Sequence, residues 1–238
     1  EAAQPGSGVD PQNRNRVMRR LEKLHDGDDG GAIFNTENGS AVLKNVTITN
    51  NISVNHGGAI VNYGALTLQS CTVTGNTSKS NGGAIWTNAG GSSVTITNTT
   101  ITNNATSNDD TRGGAIYIES GSVAVTGKIA DNTAKDGGAV FNNASGTLNL
   151  TDVFVHSNKS TQRGGGSITN YGTATLTDCD VWDNEAKTNG GAIWTGGAQA
   201  DVTLTNCVVT GNTAELTGGG VCLYQGTLTA SGTTVSNN

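Results

Sequence analysis

Gly57-Gly58-Ala59-Ile60 decides the fold, because it returns. Variants begin at Gly30, Gly82, Gly113, Gly137, Gly165, Gly190 and Gly218, so eight copies are spaced by 27, 25, 31, 24, 28, 25 and 28 residues. Later in each copy an aliphatic residue, two spacers and an asparagine recur: Ile48/Asn51, Val73/Asn76, Ile101/Asn104, Ile129/Asn132, Val155/Asn158, Val181/Asn184, Val209/Asn212 and Val235/Asn238. A period in this range marks a solenoid, propeller or array. Between the two signatures the alternation has period two, as in Leu66 and Leu68, then Cys71 and Val73. That pattern belongs to strands with one buried face. Three short strands per unit predict a parallel β-helix, since a helical repeat would show a 3.6-residue period and a propeller blade would need about 40 residues. The coils run over 30–238, and residues 1–29 form a separate leader.

Composition agrees. Among 238 residues there are 35 glycines and only 2 prolines, a turn-rich and strand-rich chain. Formal net charge is −6, so no basic face invites nucleic acid. No apolar run approaches the roughly 20 residues of a membrane-spanning helix. Glu1 in place of an initiator Met reads as a processed or excised chain, which fits secretion. Asn-x-Ser/Thr triplets begin at Asn38, Asn45, Asn51, Asn76, Asn98, Asn104, Asn143, Asn149 and Asn158, the acceptor pattern of an extracellular glycoprotein. Within the leader, Asp10-Pro11 is a helix start, and Val17, Met18, Leu21 and Leu24 make one apolar stripe. This predicts a helix capping the open end of the solenoid, where the first coil would otherwise expose its core.

Gly-Gly-Ala-Ile paired with a later x-x-Asn, once per coil, resembles the repeat of the polymorphic outer membrane protein family. The likeness spans Gly30 to Asn238, with Ile or Val where that family favours Phe at the start of the second motif. It implies a right-handed parallel β-helix of the pectin-lyase-like group, displayed at the cell surface for adhesion or scaffolding. It carries over no catalytic residue.

Because like positions stack about 4.8 Å apart, aligned repeats define surface columns. The position after the glycine motif reads Phe34, Val61, Trp86, Tyr117, Phe141, Thr169, Trp194 and Cys222. With the preceding Ile/Val inward, this column points outward, and Phe34, Trp86, Tyr117, Phe141 and Trp194 make a candidate aromatic stripe for sugar rings or lateral docking. On the third strand the generic Thr and Asn columns change together in coils five and six. Asp152 stacks on Asp178, Phe154 on Asp180 and His156 on Trp182. Phe154, His156, Asp178, Asp180 and Trp182 are the candidate ligand-binding residues. Asp152 with Asp178 is the one stacked acidic pair that invites a metal such as Ca²⁺, although Asx residues also serve turns at this corner. No other cofactor is indicated.

Thr-x-Thr columns on the middle strand match a solvated sheet surface. Cys71, Cys179 and Cys207 share an inward column as free thiols, with Cys222 elsewhere. No Gly-x-Ser-x-Gly, His-Glu-x-x-His or P-loop occurs. The sequence therefore predicts a non-enzymatic extracellular solenoid, structural or adhesive, whose partners are further copies of itself in head-to-tail filaments or a cell-surface polysaccharide. The alternative is a polysaccharide-binding or polysaccharide-processing β-helix.

Overall fold

The computed structural model describes residues 20–22 and 31–238. Among them every regular element is a β-strand and every pairing is parallel, coil upon coil. One coil shows the plan. Ile168–Asn170, Thr173–Thr177 and Asp180–Trp182 are its three strands, each paired to the equivalent strand above and below. A fourth, two-residue strand follows the asparagine, Glu185–Ala186 in this coil. Among the described residues seven such strands stack into their own narrow sheet. Two residues are too few to show any alternation, which is why the sequence pattern yields three strands and not four.

The interior is a set of single-residue rows. Ile33, Ile60, Ile85, Ile116, Val140, Ile168, Ile193 and Val221 stack in register. All belong to one core with the inward leucines and valines of the other strands. Cys71, Cys179 and Cys207 are buried in that core as free thiols.

The repeated glycines have two separate reasons. Gly82, the first of its pair, has φ +70°, a left-handed conformation in which a side chain is strained. Gly83 does not, but a Cβ there would land on the carbonyl oxygen of Gly114 in the next coil. The first glycine makes the corner. The second lets two coils approach.

The asparagine is equally specific. Asn132 is fully buried. Its Oδ1 accepts from the Asn104 N–H at 2.9 Å and from the Asn104 Nδ2 at 3.0 Å. Its own Nδ2 donates to Asn158 Oδ1 at 3.0 Å and to the carbonyls of Ile101 and Ala130. The same exchange runs from Asn51 to Asn238. Only a side chain with both donor and acceptor can continue such a ladder. Four triplet asparagines, Asn51, Asn76, Asn104 and Asn158, are buried in it and closed to glycosylation in the folded chain.

Arg20–Glu22 corrects the expected capping helix at those positions. They form a strand, pairing Arg20 with Thr47 and Glu22 with Thr49. The physical reason is the open edge of the first coil: its unpaired N–H and C=O groups template an added strand, which outweighs local helical periodicity. The rest of that expected helix lies outside the described residues.

Two predictions follow from the stacking. Asn132→Ala strands buried groups on Asn104 and the Ile101 carbonyl. At about 1–3 kcal/mol per unsatisfied group, we expect a loss of about 3–5 kcal/mol, read from the urea midpoint by circular dichroism. Asn132→Asp does not rescue it, because a carboxylate has no proton to give Asn158 Oδ1. Gly83→Ala, whose methyl also lies 2.7 Å from backbone atoms of Ala105, costs about 3 kcal/mol or more. Gly90→Ala, with nothing within 4 Å, is neutral or stabilises by up to about 1 kcal/mol. Equal effects at the two glycines would refute the close-approach argument.

Candidate functional site

The third-strand face gathers the residues singled out from the sequence. Pairing places Phe154 on Asp180, Val155 on Val181 and His156 on Trp182, then Asp180 on Val208 and Trp182 on Thr210. Val155 and Val181 fill the core between them, so the flanking side chains must face out. The imidazole of His156 lies flat on the Trp182 indole, centroids 4.4 Å apart and planes at 17°. Phe154 meets the same indole edge-on at 5.9 Å and 73°. Phe154 is 48 % exposed and Val208 40 % exposed. Asp180, Trp182, Val208 and Thr210 line an open groove of about 390 Å³. The result is an aromatic platform with one carboxylate at its rim, suited to stacking against a flat apolar surface while accepting a hydrogen bond.

His156 pays for this packing in basicity. Burial against its neighbours lowers its pKa from the ordinary 6.5, assisted by the Lys128 charge and opposed by Asp131 and Asp183. Its Nδ1 is 3.1 Å from the Ser157 hydroxyl.

Asp152 and Asp178 fall at the corner before the platform, with φ +54° and +53°. Asn45, Ser70, Asn98 and Asn206 occupy the same left-handed corner in other coils, and Asn206 Nδ2 donates to Asp178 Oδ1 at 3.2 Å. Their visible role is the turn. Two carboxylates supply a small part of the 6–8 oxygens Ca²⁺ takes, and among the described residues no group of three or more His, Cys, Asp or Glu converges to hold a metal.

The aromatic column requires a correction. It does leave the strand on the side away from the main core, but Trp86, Tyr117 and Phe141 are buried, at 6, 2 and 2 % exposure. With Val61 they form a second, smaller core. Corner residues fold back over it. His56 stacks on Trp86 at 4.7 Å, Tyr63 meets Trp86 edge-on, Arg112 sits 5.0 Å above the Phe141 ring, and Tyr171 packs on Phe141 at 5.5 Å. Phe34 is half exposed and Trp194 half buried. A continuous surface stripe is therefore absent from the middle coils. Asp136 and Tyr171, which sequence reasoning passed over, lie beside this column; the signal that could have found them is the break from aromatic to Thr169 between Phe141 and Trp194.

The geometry of the platform yields a titration. His156 is less protonated in the folded state than in the unfolded chain around pH 6.5, so this group's contribution makes stability rise with pH through that window and fall on acidification. Trp182→Ala uncovers the imidazole, and we expect the His156 midpoint, followed by proton NMR, to move up toward 6.5. An unchanged midpoint would show that the indole is not the cause.

A family model of the Chlamydia polymorphic membrane protein repeat matches residues 45–63 and 70–88. Each matched segment runs from a left-handed corner, Asn45 or Ser70, through a ladder asparagine, Asn51 or Asn76, into the next Gly-Gly strand. No curated protein and no solved structure matches the chain. The matched motifs are the corner, ladder and close-approach residues on which the coils depend. The chain is a parallel β-helix repeat protein, and these two segments are similar to the polymorphic membrane protein repeat.

Proposed function

We propose that this chain is a non-enzymatic adhesive solenoid of the cell surface, and that it makes contact through the platform of Phe154, His156, Asp180, Trp182 and Val208. The repeat match to a membrane protein family of Chlamydia supports the surface assignment. The observation that carries the adhesive reading is the exposure of Phe154 and Val208 around the Trp182 ring, on a rod whose other outward strand positions are mostly threonine. Exposed apolar rings clustered in one place mark a contact surface. Among the described residues no helix is long and apolar enough to cross a membrane.

A polysaccharide as partner is favoured by the same platform, because a ring face beside an acceptor is how a sugar is stacked and oriented. Cleavage of that polysaccharide is not, since general acid–base work on a glycosidic bond needs two carboxylates about 5–9.5 Å apart across it and, among the described residues lining the groove, Asp180 supplies one.

The test measures adhesion of beads coated with the whole chain to host-cell monolayers and to immobilised acidic and neutral glycans. Phe154→Ala with Trp182→Ala should reduce attachment at least tenfold while the thermal transition by circular dichroism is retained. Attachment unaffected by the double substitution would overturn the platform assignment. A concentration-dependent ladder of oligomers in sedimentation, abolished by the same substitutions, would instead make a second copy of the chain the partner.

A further inference from the structure

A different strand of the same coils carries a second, deeper site. Where neighbouring coils place bulk, coil six has Gly164 and Thr169, and a pocket of about 200 Å³ opens between Phe141 and Trp194. Asp136, Arg163, Tyr171, Asn189 and Trp194 line it. The indole of Trp194 lies against two glycines: a Cβ at Gly164 would approach its Cγ to 2.9 Å, and one at Gly196 would collide with the far edge of the ring. Tyr171 stands edge-on to it, centroids 5.4 Å apart and planes at 65°. The aromatic wall is thus held by the backbone.

Asp136 forms the floor. It is only 4 % exposed, and the Thr169 hydroxyl donates to its Oδ1 at 2.6 Å. Burial raises its pKa, with the Thr169 hydrogen bond and the charges of Arg112 and Arg163 opposing the shift. At the mouth, Arg163 is held by Asp110 at 2.6 Å, an ion pair reaching from two coils away. Asn189 Oδ1 accepts from Thr217 at 2.5 Å, which turns its amide NH₂ away from that partner.

Each feature restricts the occupant. Burial disfavours the charged form of Asp136 on the floor, and Arg163 at the mouth is already paired with Asp110, so the lining matches a ligand that is neutral overall. Trp194 and Tyr171 require an apolar face, whereas Asp136, Arg163 and Asn189 require hydroxyls or amides that both donate and accept. The volume lies below the roughly 300–1,000 Å³ of sites for drug-sized ligands, so one ring fits and a chain of rings does not. We propose that this pocket binds a single neutral pyranose, the terminal sugar of a glycan, with its C–H face on Trp194 and its hydroxyls on Asp136, Asn189 and Arg163. This goes beyond the adhesive platform, shares no residue with it and does not depend on it.

The experiment titrates the ¹⁵N-labelled full chain with methyl glycosides of glucose, galactose, mannose and N-acetylglucosamine. The chain has three tryptophans, hence three indole N–H signals, assigned with Trp→Phe variants. We expect one of the sugars to shift the Trp194 signal, with millimolar affinity, and to leave that of Trp86 in place. Trp194→Ala and Asp136→Asn should each weaken binding at least tenfold, and Trp182→Ala should not. Asp136→Asn replaces a desolvated ionisable group with a neutral amide of the same shape, so its melting temperature at neutral pH should be no lower than that of the native chain. The proposal is overturned if no glycoside moves the Trp194 signal, if Trp182 responds in its place, or if Asp136→Asn binds as the native chain does. It is equally overturned if a free amino acid, the zwitterion that could also span Arg163 and Asp136, displaces the sugar at lower concentration.

Discussion

The constraint on which this molecule depends is the strand spacing of about 4.8 Å along its axis. Strand and ladder residues sit on their counterparts in the next coil, so at those positions a residue type is acceptable only if it stacks on itself or on its replacement. Aliphatic side chains do so by dispersion and burial. Asparagine does so by donating to the copy on one side and accepting from the copy on the other, as Asn104, Asn132 and Asn158 show. Glycine does so by removing the atom that would prevent contact, as at Gly83 beneath Gly114. The two motifs that define the repeat are two solutions of one packing problem. They say how coils touch and nothing about what the rod binds.

The contacts proposed above lie where columns depart from the repeat. Outward positions are free of the stacking condition on their solvent side, and corners tolerate insertions because each coil contacts only its neighbours. Both departures cluster in coils five to seven. Phe154, His156, Asp180 and Trp182 replace threonines and small residues on one strand. On another, Gly164 and Thr169 open a gap in a column of rings. The platform is an addition to the surface, and the pocket a subtraction from it.

The inner rows were legible from residues alone because period-two alternation survives in every coil, and the register bears out the single interior row from Ile33 to Val221. The pairing of Phe154 with Asp180 and His156 with Trp182 was legible for the same reason. What failed was exposure. The direction of the Trp86, Tyr117 and Phe141 column follows from alternation, yet its burial depends on His56, Tyr63, Arg112 and Tyr171 folding back from corners of unequal length. Corner paths have no period, so nothing in the repeat predicts their cover. Arg20–Glu22 illustrates a related limit: the helical stripe is a local signal, while the strand it forms answers an edge that exists only once the first coil has folded.

Asp136 brings these strands of argument together. A carboxylate at 4 % exposure, with its pKa pushed upward by burial, weakens the fold around it. Its support is the hydroxyl of Thr169, the backbone N–H of Gly137 and the charges of Arg112 and Arg163, which oppose the shift without reversing it. A small globular core could lose its marginal stability to such a group. A solenoid spreads its cohesion over ladders and rows that continue past the site in both directions, and the Asn132–Asn158 rung beside Asp136 is fully bonded. The repetition that makes most of the surface uninformative is thus what permits one coil junction to hold a desolvated carboxyl group in place, beside a cavity walled by Tyr171 and Trp194. Regular stacking and local irregularity are complementary here, the first supplying the stability that the second consumes.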